Sequence, residues 1–421
     1  MDGFCREIVK GKAVSTLKYW VWLSSLGGVG PVTAKKLLER FETVEKVFFA
    51  RDEEYEDVPG IRKSEIAALS KKNIGAANKI LSGCEENNFR IITIQDAEYP
   101  ERLRNIYDPP IVLYIKGRLP VIDEEAAVAI VGSRSCTPYG TSAAEKIGYE
   151  LARHGLMVVT GLARGIDSAA AKGALRGGGR VLGVLGCGLD IVYPAGNKPL
   201  FEDVSAAGAL ISEYPPGSPA EASHFPIRNR IISGISLGVA VIEAPKKSGA
   251  LITAARALEQ GRDVFALPGN VDAQSCEGSN LLLKEGALPL ISAVDIVQEY
   301  AGLFPEKIII RDKSKLIPLD KKSAEKLVEQ QANSGNGTAE SDEKVVDNDK
   351  TVEYIDLGKL LSGLSGDERL ICEAIGNDTV HVDEIIQKTE LSAQVALSTL
   401  TVLEINGIVE QYKGKYFRIT R

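Results

Sequence analysis

Cationic and glycine-rich turns recur along the middle of the chain, and each follows a short apolar run. One of them reads Phe-Pro-Ile-Arg-Asn-Arg-Ile-Ile at residues 225–232 and places two guanidinium groups near an aromatic ring. Guanidinium groups and the free amides at helix starts bind oxyanions, phosphates above all. A series of such turns suits several phosphates better than one small substrate. The sequence therefore predicts a surface that binds nucleic acid.

Several of these turns carry a lysine or an arginine at a predicted strand end. Ser133 and Arg134 precede a helix expected near Pro138, so a hydroxyl, a guanidinium and helix amides should bind an oxyanion there. In the next turn, Asp167 is expected to cap a helix or to orient an arginine. The cationic turn residues selected by this argument are Arg134, Arg164, Lys198, Arg228, Arg230 and the Lys-Lys-Ser-Gly run made of Lys246, Lys247, Ser248 and Gly249.

The apolar runs that precede these turns have the length of β-strands. Runs at 90–94 and 111–115 are expected to extend one end of a sheet. The others alternate with segments long enough for helices, which predicts a parallel, doubly wound α/β sheet with right-handed crossovers. These runs span 127–131, 156–159, 181–185, 209–212, 239–243 and 264–267. In such a sheet, ligands bind beyond the carboxyl ends of the strands, where the cationic turns fall.

The composition is that of a globular multidomain chain, with 421 residues of which 44% are hydrophobic and 25% charged. The net charge is −7, yet residues 131–290 hold 15 Lys and Arg against 14 Asp and Glu, so the total charge does not argue against a polyanion in a local groove. No apolar run is long enough for a membrane span and the first residues lack a signal-peptide pattern, so a cytoplasmic location without membrane contact is expected.

The chain is expected to divide into four segments. Residues 1–86 are predicted to form a helical helix-hairpin-helix/SAM-like domain, because glycine turns near residues 28 and 60 each precede a helix. These turns could approach a DNA phosphate or simply cap helices. Residues 87–310 contain the sheet. Residues 311–362 are predicted to be a flexible linker, since 331–350 hold five acids, two lysines and no aromatic residue. Residues 363–421 resemble a winged helix, with three helices and a hairpin that turns at Gly414.

Three classes of enzyme lack their motifs. The first strand is not followed by the Gly-x-Gly-x-x-Gly of dehydrogenases, and the chain has no Gly-x-x-x-x-Gly-Lys motif of nucleotide triphosphatases. Acid-base hydrolysis needs a paired set of groups, but His224 is the histidine near the predicted site and is expected to be structural. Six cysteines lie far apart without a Cys-x-x-Cys pair, so neither a disulfide framework nor a zinc site is predicted. No catalytic residue, metal or cofactor is expected.

Longer motifs carry a resemblance to a known family. They are SEYPPG (212–217), FPIRNRIISG (225–234), VIEAPKKSGALITAARALEQGRDVFALPG (241–269), GSNLLLKEGA (278–287), GLARGID and GLDIVYPAGN. Over about 200 residues the chain resembles the DNA-processing protein A family (DprA, also called Smf). The resemblance implies an extended Rossmann-like fold that binds single-stranded DNA without a cofactor and forms a homodimer. It also implies a recombination mediator that protects incoming DNA and helps load RecA recombinase during natural transformation.

The resemblance points to particular site residues and shows some departures. The residues are Ser133, Arg134, Gly161, Arg164, Gly165, Asn197, Lys198, Arg228, Asn229, Arg230, Ser248 and Gly249. The family commonly has histidine where this chain has Ala171, which would remove any contribution of that histidine to the pocket. The family's Ser-Gly-Gly-Ala-Arg-Gly begins here with Thr160 and has Leu162 at its third position, which is expected to narrow the groove.

Two aromatic residues lie near the predicted phosphate contacts. Phe225 and Tyr193 could each stack on a base, which contributes roughly 1–3 kcal/mol per base. Core packing is the competing interpretation; it is favoured for Tyr193 and equally weighted with stacking for Phe225.

Other functions compete with the mediator. A nucleotide-monophosphate phosphoribohydrolase of the LOG family has a similar sheet, but its Pro-Gly-Gly-x-Gly-Thr-x-x-Glu is replaced by Ser-Gly-Ala-Leu-Ile-Thr at 248–253. A scaffold that brings a recombinase to DNA without gripping the strand would tolerate neutralising Arg134 and Lys198. In the winged helix, Ser392, Gln394, Ser398 and Thr399 offer little charge, which favours partner or self contact over duplex readout.

Overall fold

The computed structural model describes residues 16–310 and then 366–376, 380–389, 391, 393–405, 408–412 and 416–419. Contacts divide the chain into two units, residues 1–320 and residues 321–421. The predicted linker (311–362), the hairpin turn at Gly414 and Ser392 lie outside the described residues. Within the described residues, no helix is both long and apolar enough to cross a membrane.

The first unit begins with short helices whose apolar residues belong to the same hydrophobic cluster as one face of the sheet. The helices are α1 (16–25), α2 (Pro31–Phe41), α3 (Val44–Phe49), α4 (Asp52–Glu56), α5 (Lys63–Leu69) and α6 (Ile74–Glu86). Gly28 (φ 92°) and Gly60 (φ 76°) adopt the left-handed conformation that tight turns require. Arg62 Nη2 donates to Gly28 O at 3.4 Å and Lys36 Nζ to Pro59 O at 2.9 Å. Arg62 therefore links the start of α5 to the first glycine turn, and Lys36 links α2 to the second.

A nine-stranded sheet follows, and seven of its strands are parallel neighbours. Along the sheet the order is β1-β2-β6-β5-β4-β3-β7-β8-β9, with antiparallel pairing only where β1 meets β2 and β2 meets β6. The strands are β1 (Arg90–Thr93), β2 (Val112–Gly117), β3 (Ala127–Val131), β4 (Met157–Thr160), β5 (Val181–Leu185), β6 (Ala209–Ser212), β7 (Gly238–Val241), β8 (Asp263–Ala266) and β9 (Leu288–Pro289). The predicted doubly wound sheet is confirmed, as is the placement of its two leading strands at one end.

Helices cover both faces of the sheet because its central strands are apolar on both sides. In β3, Val128 and Ile130 belong to one hydrophobic cluster, and Ala127, Ala129 and Val131 belong to the other. The helices are α7 (Glu101–Arg104), α8 (Pro138–Arg153), α9 (Ile166–Arg176), α10 (Lys198–Ala207), α11 (His224–Ile235), α12 (Gly249–Glu259), α13 (Glu277–Lys284) and α14 (Ala293–Ala301).

In its described residues, the second unit has three helices and a small sheet around a core of their own. Its elements are α15 (Gly366–Ile375), β10 (Val380–His381), α16 (Val382–Thr389), α17 (Ala393–Ile405), β11 (Val409–Tyr412) and β12 (Tyr416–Ile419), with strand order β10-β12-β11. Ile371, Ile375 and Ile385 are buried in the core. The winged helix is confirmed, and the structure adds β10, which pairs with β12 and was not predicted.

Candidate nucleic-acid interface

An open cavity lies where the strand order reverses, between β3 and β7. Its volume is about 620 Å³, and it is bordered by the turn after β3, the turn after β7 and the first half of α11. This is the switch point at which open parallel sheets bind their ligands. We call it the loop-edge cavity. The predicted site residues that line it are Ser133, Arg134, Phe225, Arg228, Asn229, Lys247, Ser248 and Gly249.

Glu243 holds the turn after β3 in place through hydrogen bonds. The Ser133 amide donates to the Glu243 carbonyl at 2.7 Å. The buried Glu243 carboxylate accepts from the Thr137 amide at 3.1 Å and from Thr137 Oγ1 at 2.9 Å. A carboxylate of the protein itself thus occupies the start of α8, where an external oxyanion was predicted. The Arg134 side chain remains exposed at the rim.

Aromatic rings and guanidinium groups meet on one wall of the cavity. The centroids of the Tyr193 and Phe225 rings lie 5.3 Å apart with an interplanar angle of 37°. The guanidinium carbon of Arg134 lies 5.0 Å from the Phe225 centroid and that of Arg228 lies 5.8 Å from it. Tyr193 is 42% exposed and lines the cavity, so the core packing favoured for it is wrong. Phe225 is half-buried, and its ring lies next to Tyr193, Arg134 and Arg228.

A buried charge lies in the lining of the cavity. Arg228 is only 4% exposed, and its Nη1 donates to the carbonyl of Val184 at the end of β5. Burial lowers the pKa of Arg228 to about 10, with Asp167 acting in the opposite direction, so the guanidinium stays charged at neutral pH. Burial also raises the pKa of Asp167, an effect that Arg228 and the amides of Gly161 and Ala163 counter. The cavity lining therefore contains a fixed cation, Arg228, together with the acid Asp167.

The opposite wall is the start of α12. Ser248 caps this helix by accepting from the Ala250 amide at 3.2 Å, and Lys247 beside it is exposed. Asn229 is buried and donates from Nδ2 to the Gly249 carbonyl at 3.3 Å. Asn229 thus ties α11 to the start of α12 and fixes the distance between the two walls.

Some of the predicted residues shape the loops instead of lining the cavity. A Cβ atom at Gly165 (φ 78°) would overlap the Ser133 carbonyl, and one at Gly161 would overlap the Arg228 guanidinium. Asn197 Nδ2 donates to the Leu162 carbonyl at 2.9 Å and to Ser168 Oγ at 2.8 Å. These three residues allow or fix the close packing of neighbouring turns.

The other predicted cations outside the cavity lining differ in exposure. Arg164 and Lys198 are exposed at the same edge of the sheet, on the turn after β4 and at the first residue of α10. Arg230 is 3% exposed in its side chain and forms ion pairs with Asp108 at 3.3 Å and with Glu213 at 2.7 Å. Arg230 was predicted to bind nucleic acid, but its helical position turns it toward these acids and it does not line the cavity.

The structure also shows the positions of His224 and of two of the departures from the family pattern, Leu162 and Ala171. His224 stacks on Tyr214 with centroids 4.0 Å apart, and its Nδ1 lies 3.2 Å from the Gly186 carbonyl. Leu162 is fully buried and packs over Gly183 of β5, so the expected narrowing of the groove is not found. Ala171 is fully buried within α9 and does not line the cavity.

Sequence reasoning missed part of the lining. Ser135, Ile252 and Thr253 line the cavity, and Glu243 supports it from below. An acid directly after an apolar strand was the available signal for Glu243. The apolar Ile252 carried no signal, because its exposure depends on how α12 packs.

Comparison with known proteins agrees with this architecture. Residues 90–301 match the family described as DNA recombination-mediator protein A, and residues 359–415 match the DprA winged helix domain. Protein Smf of Synechocystis is 34% identical over 430 residues, which cover 96% of this chain and 99% of that protein. DNA processing protein DprA of Streptococcus pneumoniae is 40% identical over 265 residues, which cover 63% of this chain and 92% of that protein.

A solved structure extends the comparison to the fold. The X-ray structure of DNA processing protein A from Streptococcus pneumoniae superposes with a TM-score of 0.60 at 36% identity, covering 67% of this chain and 97% of that one. The sequence match over the sheet, the match over the winged helix and this structural likeness agree. The chain belongs to the DNA recombination-mediator protein A family.

Proposed function

We propose that the chain is a recombination mediator that binds single-stranded DNA at the loop-edge cavity. The observation that carries the proposal is the convergence of Arg134, Arg228 and Lys247 with the Tyr193–Phe225 pair at the sheet's switch point. Single strands are bound by basic grooves that follow the phosphates and by aromatic rings on which bases stack. The cavity combines both kinds of group within one lining.

The side chains divide into four roles under this proposal. Arg134, Lys247 and the start of α12 at Ser248 and Gly249 bind phosphates, because they are accessible donors at the rim. Phe225 and Tyr193 stack on bases. Arg228 supplies positive potential from the lining, and Arg164 and Lys198 extend the cationic edge outside it. Gly161, Gly165, Asn197 and Asn229 set the geometry of the turns.

We further propose the biological setting that the family implies. The chain forms a homodimer, acts in the cytoplasm and helps to load RecA recombinase onto the bound strand during DNA uptake. The winged helix serves partner or self contact under this proposal, because the exposed side chains of its third helix include Val395, Ser398 and Val402 and these carry no positive charge.

A nucleotide hydrolase finds less support in the same geometry. It would need a carboxylate that is free to act on the substrate, but Glu243 accepts three bonds from Thr137. Asp167 accepts from the amides of Gly161 and Ala163. Both carboxylates are thus engaged in holding loops, so we assign no catalytic residue.

The test is equilibrium binding of a fluorescent oligothymidylate across a salt series, for the wild type and for Arg134→Ala. We expect affinity to fall about tenfold in the variant. We also expect the slope of log affinity against log salt to become shallower by about 0.7, the value for one lost phosphate contact on a single strand. Arg153→Ala is the control, because Arg153 is an exposed arginine at the end of α8 and outside the cavity lining. Equal affinities and slopes for Arg134→Ala and the wild type would contradict the proposal.

A further inference from the structure

A second groove lies on the other side of the α12 start. It has a volume of about 590 Å³, and the residues that line it include Lys246, Lys247, Ile252, Arg256 and Glu259. We call it the α12 groove. Lys246, Arg256 and Glu259 are exposed, and Ile252 is 41% exposed, so the groove offers cations beside an apolar surface.

The α12 groove is continuous with the loop-edge cavity. Four residues line both of them, namely Lys247, Ser248, Gly249 and Ile252. The start of α12 therefore separates the loop-edge cavity from the α12 groove. A Cβ atom at Gly249 would meet nothing within 4 Å, so the surface at this point is open to a passing chain.

The cationic side chains of the α12 groove are available to bind a ligand. Arg256 Nη1 pairs with Glu259 at 2.8 Å, and both side chains are largely solvent-exposed. Exposed ion pairs of this kind contribute at most about 1 kcal/mol. A phosphate offers Arg256 a doubly hydrogen-bonded partner in place of one carboxylate. Glu259 reduces the positive potential of the groove but does not cancel it, because Lys246 and Lys247 remain.

We infer that a single strand bound in the loop-edge cavity continues across Ser248 and Gly249 into the α12 groove. There Lys246 and Arg256 bind one or two further phosphates, and Ile252 contacts a sugar or base. The inference rests on the proposed function and adds to it the direction in which the strand leaves the cavity. It also adds Arg256, which the sequence motifs did not select, and assigns Lys246 of the Lys-Lys-Ser-Gly run to a phosphate in the α12 groove.

The experiment compares the full-length wild type with Lys246→Glu/Arg256→Glu, using oligothymidylates from about two to about 16 nucleotides, a range that brackets known site sizes for single strands. We expect the variant to bind the longest strand at least tenfold more weakly, with a salt slope shallower by about 0.7–1.4 for one or two lost phosphates. Binding of the shortest strand, measured by competition, stays within threefold of the wild type because that strand fits inside the loop-edge cavity.

The control is Arg153→Glu/Lys172→Glu, which changes the net charge equally on exposed residues of α8 and α9. Lys246→Gln/Arg256→Gln is measured in parallel and should show a smaller loss with the same length dependence. An equal loss for short and long strands, or no loss for either, would overturn the inference while leaving the proposed function intact if Arg134→Ala still weakens binding. Failure of the wild type to bind any strand would overturn both.

Discussion

Three consecutive polar side chains of α11 are buried, and each has a different role. Arg228 lines the cavity as a buried cation, Asn229 fixes the start of α12, and Arg230 is paired with two acids. Successive residues on a helix point about 100° apart, so a run of three polar residues must face three different surroundings. Of the two arginines in the 225–232 motif, only Arg228 therefore lines the cavity.

Replacing Arg230 should affect stability and leave DNA binding unchanged. In Arg230→Met, the carboxylates of Asp108 and Glu213 lose their shared cation, and breaking a buried ion pair costs about 3–5 kcal/mol. We expect a loss near 3 kcal/mol in urea unfolding, because both acids keep some solvent contact. Affinity of the folded protein for single-stranded DNA should stay within about twofold, which is less than the effect of one phosphate contact.

Arg176→Met is the matched control for stability. Arg176 pairs with Glu145 on the surface, with a side chain that is 65% exposed, and exposed pairs contribute about 0–1 kcal/mol. If Arg230→Met weakened DNA binding tenfold with unchanged stability, its assignment as a structural residue would be wrong.

The sequence correctly placed the cationic turns at the carboxyl-terminal edge of the sheet. It did not show which of their side chains face the loop-edge cavity. Gly-Ser-Arg after β3 and Lys-Lys-Ser-Gly after β7 are local signals, since a turn after a parallel strand lies at the ligand-binding edge wherever the sheet forms. Arg230 could not be assigned in this way, because its partners Asp108 and Glu213 come from distant segments. The engagement of Glu243 with Thr137, 106 residues away, is likewise a property of the folded chain.

At the scale of elements, the glycine turns of the amino-terminal helices are held by side chains within that region. Glu65, in the first turn of α5, accepts from the Arg62 amide at 2.7 Å, from Arg62 Nη2 at 2.9 Å and from Thr33 Oγ1 of α2 at 2.8 Å. It thereby joins the two helices that follow the glycine turns. Arg62 and Lys36 also donate to carbonyls of those turns, so both cations contribute to packing within the helical region.

This arrangement predicts a pH-dependent stability. The hydrogen bond with the Arg62 side chain is the main reason that the pKa of Glu65 falls to about 2 from its ordinary value of 4.5. Its stabilising contribution is therefore complete above about pH 4.5 and is lost as the pH falls toward 2. We expect Glu65→Gln to lower the free energy of unfolding by about 1–2 kcal/mol at pH 7, a range reduced for the solvent exposure of Arg62. The difference from the wild type should shrink between pH 4.5 and pH 3.

Glu54→Gln is the control, because Glu54 accepts from the Arg51 amide at 2.8 Å in the same helical position but is 43% exposed. Its effect at pH 7 should be smaller than that of Glu65→Gln. A Glu65→Gln difference that is constant from pH 7 to pH 3 would contradict the role given to the ionised carboxylate.

Element boundaries were predictable wherever the pattern was local. The apolar runs that became β3, β5 and β6 are bounded by glycine, charge or helix signals and were located to the residue. β10 and β9 span two residues each, which is too short for a periodic pattern, and they exist because a neighbouring strand offers hydrogen bonds. Such strands are consequences of the fold.

At the scale of the whole molecule, the candidate site lies within the first unit. All residues that line the loop-edge cavity and the α12 groove fall between 131 and 259. The winged helix has a separate core and its own small sheet. Under the proposed function, DNA binds at the sheet and the carboxyl-terminal unit is left for contacts with proteins.

The most direct test of this account is photocrosslinking of a single-stranded oligonucleotide that carries 5-iodouracil, followed by digestion and mass spectrometry of the crosslinked peptides. Stacking of bases on the cavity wall predicts crosslinks at Tyr193 and Phe225, which Arg134→Ala should reduce. Crosslinks confined to the amino-terminal helices or to the winged helix, with none at these two rings, would contradict DNA binding at the loop-edge cavity.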